Sequence, residues 1–375
     1  MKGKPLFKKI FGWLHLYLGL ISGIVVVIVA TTGCLYVFQE ECRDIFQHKY
    51  FHVKNVGEVR VPLQQMKDSF TAHYPKDKIT SIRFKEEKDA AFVFINKGGK
   101  AVSIDPYTAK IIGARNLKTD FFENVRELHT HLMLGDVGGQ IIKWNVFIFF
   151  LMVISGLVIW WPKQKKFFRQ AMRINFKTKN WKRLNWDLHS VLGFYASIIL
   201  LIISLTGMFF AFDSAKQLVG FLSHSPVIKK EDKFKIKPIK GHSFSIDSAY
   251  NFTTKAYPGA QETIITLPAD SVSPIRVLMR YPYTIVRKQN SVYFNRYTGE
   301  ILKSTLYANN TAYDKVAAAN YDLHTGGALG IGSKIVYFFA SLMAASLPIT
   351  GFIIWLNRKK KKPMAKKITA APLAA

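Results

Sequence analysis

The sequence predicts a membrane α-helical bundle of four transmembrane helices, duplicated internally about a pseudo-twofold along the membrane normal, with two exported α+β modules. Three observations predict it. Hydrophobic residues, 49% of the 375, are concentrated in four long blocks. Basic residues cluster between those blocks, and the chain matches itself at two fixed offsets.

A hydrocarbon core of about 30 Å takes roughly 20 apolar helical residues. Leu14–Phe38, Ile141–Trp161, His189–Phe212 and Ile335–Leu356 qualify. Trp160-Trp161-Pro162-Lys163 and Trp355-Leu356-Asn357-Arg358 supply aromatic and positive anchors at the interface. The first block follows Lys2, Lys4, Lys8 and Lys9, as a secretory signal would. It is too long for a signal h-region and no small-x-small site closes it, so it is expected to be retained.

Charge sets the orientation. The net charge is +29, from 53 Lys+Arg against 24 Asp+Glu. Residues 1–12, 162–188 and 357–375 together hold 20 Lys/Arg and one acid, Asp187. The long segments 39–139 and 213–332 hold 31 basic and 23 acidic residues. Dense positive segments stay in the cytoplasm and long mixed ones are exported. The expected protein is multi-pass in a bacterial inner membrane, with both termini cytoplasmic and two periplasmic modules. Its basicity is then a topology signal that meets the lipid bilayer, not nucleic acid.

The layout follows. Residues 1–38 are the cytoplasmic N-terminus and first span, and 39–128 the first module. Residues 129–161 are a His-bearing segment and second span, 162–188 a basic loop and 189–212 the third span. Residues 213–322 are the second module, 323–356 a His-bearing segment and fourth span, and 357–375 a basic tail. In the modules, strands are expected at Ala91–Asn96, Ala101–Ile104, Ile275–Arg280 and Ser291–Asn295, with an amphipathic helix at Leu63–His73. Residues 225–242 read as a lead-in to the second module, and the bundle itself as the link between modules.

Cys34 and Cys42 are the only cysteines. With no Cys-x-x-Cys, Cys-x-x-Cys-His or zinc spacing, iron–sulfur clusters and covalent haem are excluded. A disulfide between the two is open if the second faces an oxidising compartment. The Gly-rich stretches Gly135–Gly139 and Thr325–Gly330 lack the Lys-Ser/Thr of a phosphate loop and read as bends.

At an offset of 174, Leu14-His15 meets Leu188-His189, Gly19 meets Gly193 and Thr32-Gly33 meets Thr206-Gly207. At 195, Leu128-His129-Thr130 meets Leu323-His324-Thr325, Gly156 meets Gly351 and Trp160 meets Trp355. Two spans per half put both halves the same way up, hence the axis along the membrane normal.

Four of ten histidines thus fall at equivalent positions: His15 with His189, and His129 with His324. A twofold brings such residues face to face, and two imidazoles across a four-helix core are the ligand set of a six-coordinate b-type haem. Two haems per chain are expected, one near each membrane face, with these four residues as axial iron ligands. Gly19 and Gly193, four residues after their histidines, share a helix face with them and would let a flat macrocycle lie close. Gly19-x-x-x-Gly23 also reads as a helix-packing motif. His131 competes with His129 for the outer site, or serves it as an orienting donor or substrate contact; His129, which has the repeat partner, is preferred. His48, His52, His73, His224 and His242 have no repeat partners and read as exposed loop residues. Glu127, Asp187 and Asp322 fall on other helix faces and are not assigned as ring partners.

Leu-His-x-x-Leu-Gly at a span, Leu-His-Thr before a Gly-rich stretch, and (Ser/Thr)-Gly-x-x-(Ile/Val)-Trp closing spans two and four resemble the PepSY-associated transmembrane family. The exported modules, with Asp105-Pro106-Tyr107-Thr108 and Asn295-Arg296-Tyr297-Thr298-Gly299, resemble its PepSY domains. Ala109 departs from the pattern where the second module has Gly299. The resemblance covers nearly the whole chain to Arg358. It implies an iron-regulated membrane protein or ferric-siderophore reductase, with haem held by His15, His189, His129 and His324.

The leading expectation is therefore a haem-b oxidoreductase that passes electrons across the membrane to a periplasmic ferric chelate, in the first instance a ferric siderophore. No segment reads as a dinucleotide fold, so the electrons are expected from a membrane quinol or a separate reductase. One rival is a non-enzymatic PepSY protein that binds or restrains a periplasmic partner. Another is a cytochrome b subunit feeding a separate periplasmic enzyme.

Overall fold

A computed structural model of the chain describes residues 6–225, 234, 236–282 and 285–359. Most of the expected lead-in, residues 226–233 and 235, and the tail from 360 lie outside the described residues. Four described helices are long and apolar enough to cross a membrane: Leu6–Val37, Gly135–Trp160, Trp181–Ala211 and Ile331–Arg358. The first and third begin earlier than their apolar blocks, because Lys8, Lys9, Lys182 and Arg183 extend the helix without breaking it.

The chain divides into two compact units, and the boundary falls inside each of these helices. The first unit comprises residues up to Thr31, Trp144–Leu201 and residues from Ala340. Within it the helices are neighbours in chain order. The first meets the second through His15 and Ser155, and the second meets the third where Trp160 stacks on Phe194 at 3.7 Å. The third meets the fourth through Asn185 and the Thr350 carbonyl. The fourth returns to the first, where a Cβ on Gly23 would stand 3.3 Å from Pro348. Gly23 therefore has the close-packing role, letting the first helix pass a proline-bearing neighbour.

The second unit, Thr32–Lys143 and Ile202–Phe339, contains one eight-stranded antiparallel sheet. Its strands are β1 Ile79–Lys85, β2 Phe92–Asn96, β3 Lys100–Ile104, β4 Ile111–Asn116, β5 Glu262–Thr266, β6 Ile275–Arg280, β7 Gln289–Phe294 and β8 Ile301–Thr305. Their order is β4-β3-β2-β1-β5-β6-β7-β8. The two α+β segments are therefore joined directly as well as through the bundle. β1 and β5 would each be an unpaired edge of a four-stranded sheet, and pairing from Ser81↔Thr266 to Lys85↔Glu262 satisfies both.

Helices Leu63–His73 and Ile246–Ala256 bury Leu63, Met66, Phe70, Ile246 and Ala249 in a core with Phe94, Ile82, Ile265, Val277 and Phe294. Pro62 offers the first of these helices no capping side chain. The Asp247 carboxylate does so from the other, accepting from the Leu63 and Gln64 amides at 2.6 and 3.0 Å.

The departure at Ala109 has a local explanation. Asp105 and Asn295 each cap a tight turn by accepting from the amide two residues on, at 2.8 and 2.9 Å. Ala109 and Gly299 both close that turn in the left-handed region, at φ 56° and 77°. A Cβ on Gly299 would stand 2.5 Å from Phe244. Gly299→Ala is thus expected to destabilise the protein by about 2–4 kcal/mol, combining left-handed strain with overpacking. A thermal melt of the full chain in detergent checks it, an unchanged midpoint being the contrary result.

Candidate metal centres

In the first unit, His15 and His189 face each other from the first and third apolar helices. Their ring centroids are 6.3 Å apart and nearly perpendicular, at 84°. His15 Nδ1 lies 2.9 Å from Ser155 Oγ, and His189 Nδ1 lies 2.9 Å from Thr350 Oγ1. Both hydroxyls spend their own proton on their helix: Ser155 donates to the Met152 carbonyl, and Thr350 to the carbonyls of Ser346 and Leu347. Each hydroxyl therefore accepts from the ring, Nδ1 carries the hydrogen, and Nε2 keeps its lone pair. The next residue in each case is glycine. A Cβ on Gly156 would lie 3.2 Å from His15 Cε1, and one on Gly351 would lie 3.2 Å from His189 Cε1. The Ser/Thr-Gly pair thus holds the ring through its hydroxyl and makes room for it through its missing side chain.

A cavity of about 1110 Å3 opens beside this pair, lined by both histidines together with Gly19 and Gly193. It is large against the roughly 300–1000 Å3 of ordinary ligand pockets. A Cβ on Gly19 would meet the Met152 methyl at 2.9 Å, and one on Gly193 would lie 3.6 Å from Leu347. Lys8, Lys9, Arg173, Arg183 and Arg358 also line the cavity, against one acid, Asp187, giving a mainly apolar chamber net positive charge.

In the second unit, His129 and His324 sit on the helices Phe121–His131 and Ala312–Thr325, which precede the second and fourth apolar helices. Asp120 caps the first of these, and Thr311 with Asp314 forms a capping box on the second. Their centroids are again 6.3 Å apart, at 74°. His129 Nδ1 lies 3.0 Å from Thr32 Oγ1, and His324 Nδ1 lies 2.9 Å from Thr206 Oγ1. His324 Nδ1 also lies 3.1 Å from the Ile203 carbonyl, which can only accept, so its Nε2 is the free nitrogen. Desolvation, and then the nearby His129, pull His324 down to about 4, leaving the ring neutral as a metal ligand must be.

The pair spacing suits one ion between two rings. Imidazole nitrogens about 2.0–2.1 Å from a metal, with roughly 1.1 Å from each nitrogen to its ring centre, put opposed centroids about 6.3 Å apart.

His131 points elsewhere, its Nδ1 lying 2.8 Å from Thr130 Oγ1 and 3.5 Å from Glu127. Asp187 pairs with Arg183 and Asp322 with Arg287. Cys34 and Cys42 are free thiols. Of the five unmatched histidines read as exposed loop residues, His224 and His242 are exposed and outside regular structure. The reading is corrected for the other three: His48 begins a short helix, half-buried His52 bonds two carboxylates, and His73 ends the Leu63–His73 helix. Gly135–Gly139 is helical rather than a bend as a whole; the bend is made by Leu132, Met133 and Gly135, at φ 52°, 57° and 55°. The sequence signal for Thr32, Thr206, Ser155 and Thr350 is their recurrence beside glycine, which alone does not mark them as partners of the rings.

Residues 12–358 match the family model described as "PepSY-associated TM region". No curated protein matches the sequence. A crystal structure of a protein classed as a lipoprotein from Clostridium difficile 630 aligns over 66% of this chain and 95% of its own, at 9% identity and a TM-score of 0.27. That likeness is too slight to bear on fold or function.

Proposed function

The chain belongs to the PepSY-associated TM region family, and from that premise we propose a haem-b oxidoreductase of the bacterial inner membrane that reduces a periplasmic ferric chelate, in the first instance a ferric siderophore. The proposal includes an internally duplicated bundle, cytoplasmic termini, a periplasmic sheet, and a membrane quinol or separate reductase as donor. The observation that carries it is the recurrence of one arrangement: opposed imidazoles at 6.3 Å, each with Nδ1 beside a hydroxyl.

His15 with His189, and His129 with His324, would each hold one haem, which when bound supplies one-electron transfer. The chain's own part is to present neutral nitrogens, fix the ring planes and exclude water. Lys9, Arg173 and Arg358 match the carboxylates that a haem carries. Reducing the substrate to Fe(II) weakens its hold on hard oxygen donors, so the chelator releases it.

The hydroxyls hold rather than ligate. Thr350→Val and Thr206→Val are expected to weaken haem binding about 10–100-fold at their own site while the chain stays folded. Haem titration of the purified variants reads this, and wild-type affinity in both would remove the hydroxyls from the account.

The activity is tested by reducing the purified protein in nanodiscs without oxygen and mixing it with a ferric siderophore and a ferrous-specific trap. Reoxidation of the b-type band with one trapped ferrous ion per haem oxidised is expected. A band that stays reduced contradicts the assigned acceptor.

A further inference from the structure

Just beyond the first apolar helix, Asp44, His48 and His52 recur every fourth residue. The helix Gln39–Phe46 ends at Gln47, and a second short helix, His48–Phe51, gives way to extended backbone at His52. The chain therefore folds these three side chains together. Their ligand atoms all lie within 4.8 Å of one another, and the two imidazoles stack at 4.1 Å between centroids.

We propose that Asp44, His48 and His52 bind a divalent first-row transition-metal ion at a site separate from the two histidine pairs. The two inner donors are already placed, because His52 Nε2 lies 2.9 Å from Asp44 Oδ1. The ion replaces the proton shared there, and exposed His48 turns out of the stack to add a second imidazole. The other face of His52 supplies an independent observation: its Nδ1 lies 2.8 Å from Asp89 Oδ2. A carboxylate behind a ligating imidazole fixes the ring plane and makes the outward nitrogen a stronger donor.

Asp89 is itself held by the backbone. Its carbonyl accepts from the Val53 amide at 2.8 Å, and the Phe51 carbonyl accepts from Ala91 at 2.8 Å. His52 and Ala90 form a β-bridge between these bonds. Two imidazoles and one carboxylate favour borderline ions such as Zn2+, Ni2+ or Cu2+ over Mg2+ and Ca2+, which prefer all-oxygen sites. Exposed Asp44 and His48 leave coordination positions open to water or a further ligand. The proposal does not depend on the haem reading.

The test is calorimetric titration of tag-free, chelator-washed full-length protein in detergent with ZnCl2, beside His48→Ala, Asp89→Asn and the double variant His48→Ala/His52→Ala. The wild type should bind one more Zn2+ per chain than the double variant, and excess Mg2+ or Ca2+ should not displace it. His48→Ala should bind at least about tenfold more weakly, and Asp89→Asn about 10–100-fold. Zn2+ should raise the melting temperature of the wild type more than that of His48→Ala, whose exposed position makes unfolding without metal an inadequate explanation. Equal zinc binding by wild type and double variant, or displacement by Mg2+, would overturn the proposal.

Discussion

His189→Ala is expected to lower the haem content of the purified chain from about two to about one, and His324→Ala to do the same at the other pair. His15 and His129 should give matching losses, since an axial pair is broken from either side. The double variant His189→Ala/His324→Ala should be colourless. Each histidine contributes hydrogen bonding at a hydroxyl, worth only about 1 kcal/mol net, so the helices should survive the change. His131→Ala is the internal control. Its ring interacts with Thr130 and Glu127, and its removal should leave the count unchanged. A haemochrome assay after expression with added haem separates these outcomes.

Gly156→Leu and Gly351→Leu should each abolish haem binding at the His15–His189 pair and leave the other pair loaded. The glycines are not ligands, so this result depends on the cradle geometry. A Cβ at either position already lies 3.2 Å from the opposing imidazole Cε1, tight enough that the ring must yield by a few tenths of an ångström. Alanine stops there and should retain haem with weakened affinity. Leucine adds three further carbons where the ring must stand, and overpacking of this kind costs about 1–3 kcal/mol even when neighbours adjust. Redox titration of the variants distinguishes loss of one component from a uniform shift of both, and two unperturbed components would rule out the cradle.

The parts legible in the sequence are those that repeat or that water alone selects. The four spans follow from apolar length, and the four histidines from two offsets. The roles of Thr32, Thr206, Ser155 and Thr350 do not follow, because a helical Ser or Thr usually bonds its own preceding turn, as Thr206, Ser155 and Thr350 also do. Only the packed helices reveal that their remaining lone pairs meet imidazoles. The sequence pattern marks β2, β3, β6 and β7 but not β1, β4, β5 and β8. In β4 every residue is at least partly exposed, so its apolar pattern is weak. The β1–β5 joint pairs segments some 180 residues apart, and alternating side chains say which face is buried without naming the neighbouring strand. Asp89 is likewise distant in sequence from His52 and comes beside it through the bridge at Ala90.

The central claim is that each opposed histidine pair holds one haem. A reduced-minus-oxidised visible spectrum of the detergent-purified chain, produced with haem supplied and paired with a pyridine haemochrome count, tests it directly. The account predicts a b-type spectrum and about two haems per chain. A folded, colourless protein would contradict it.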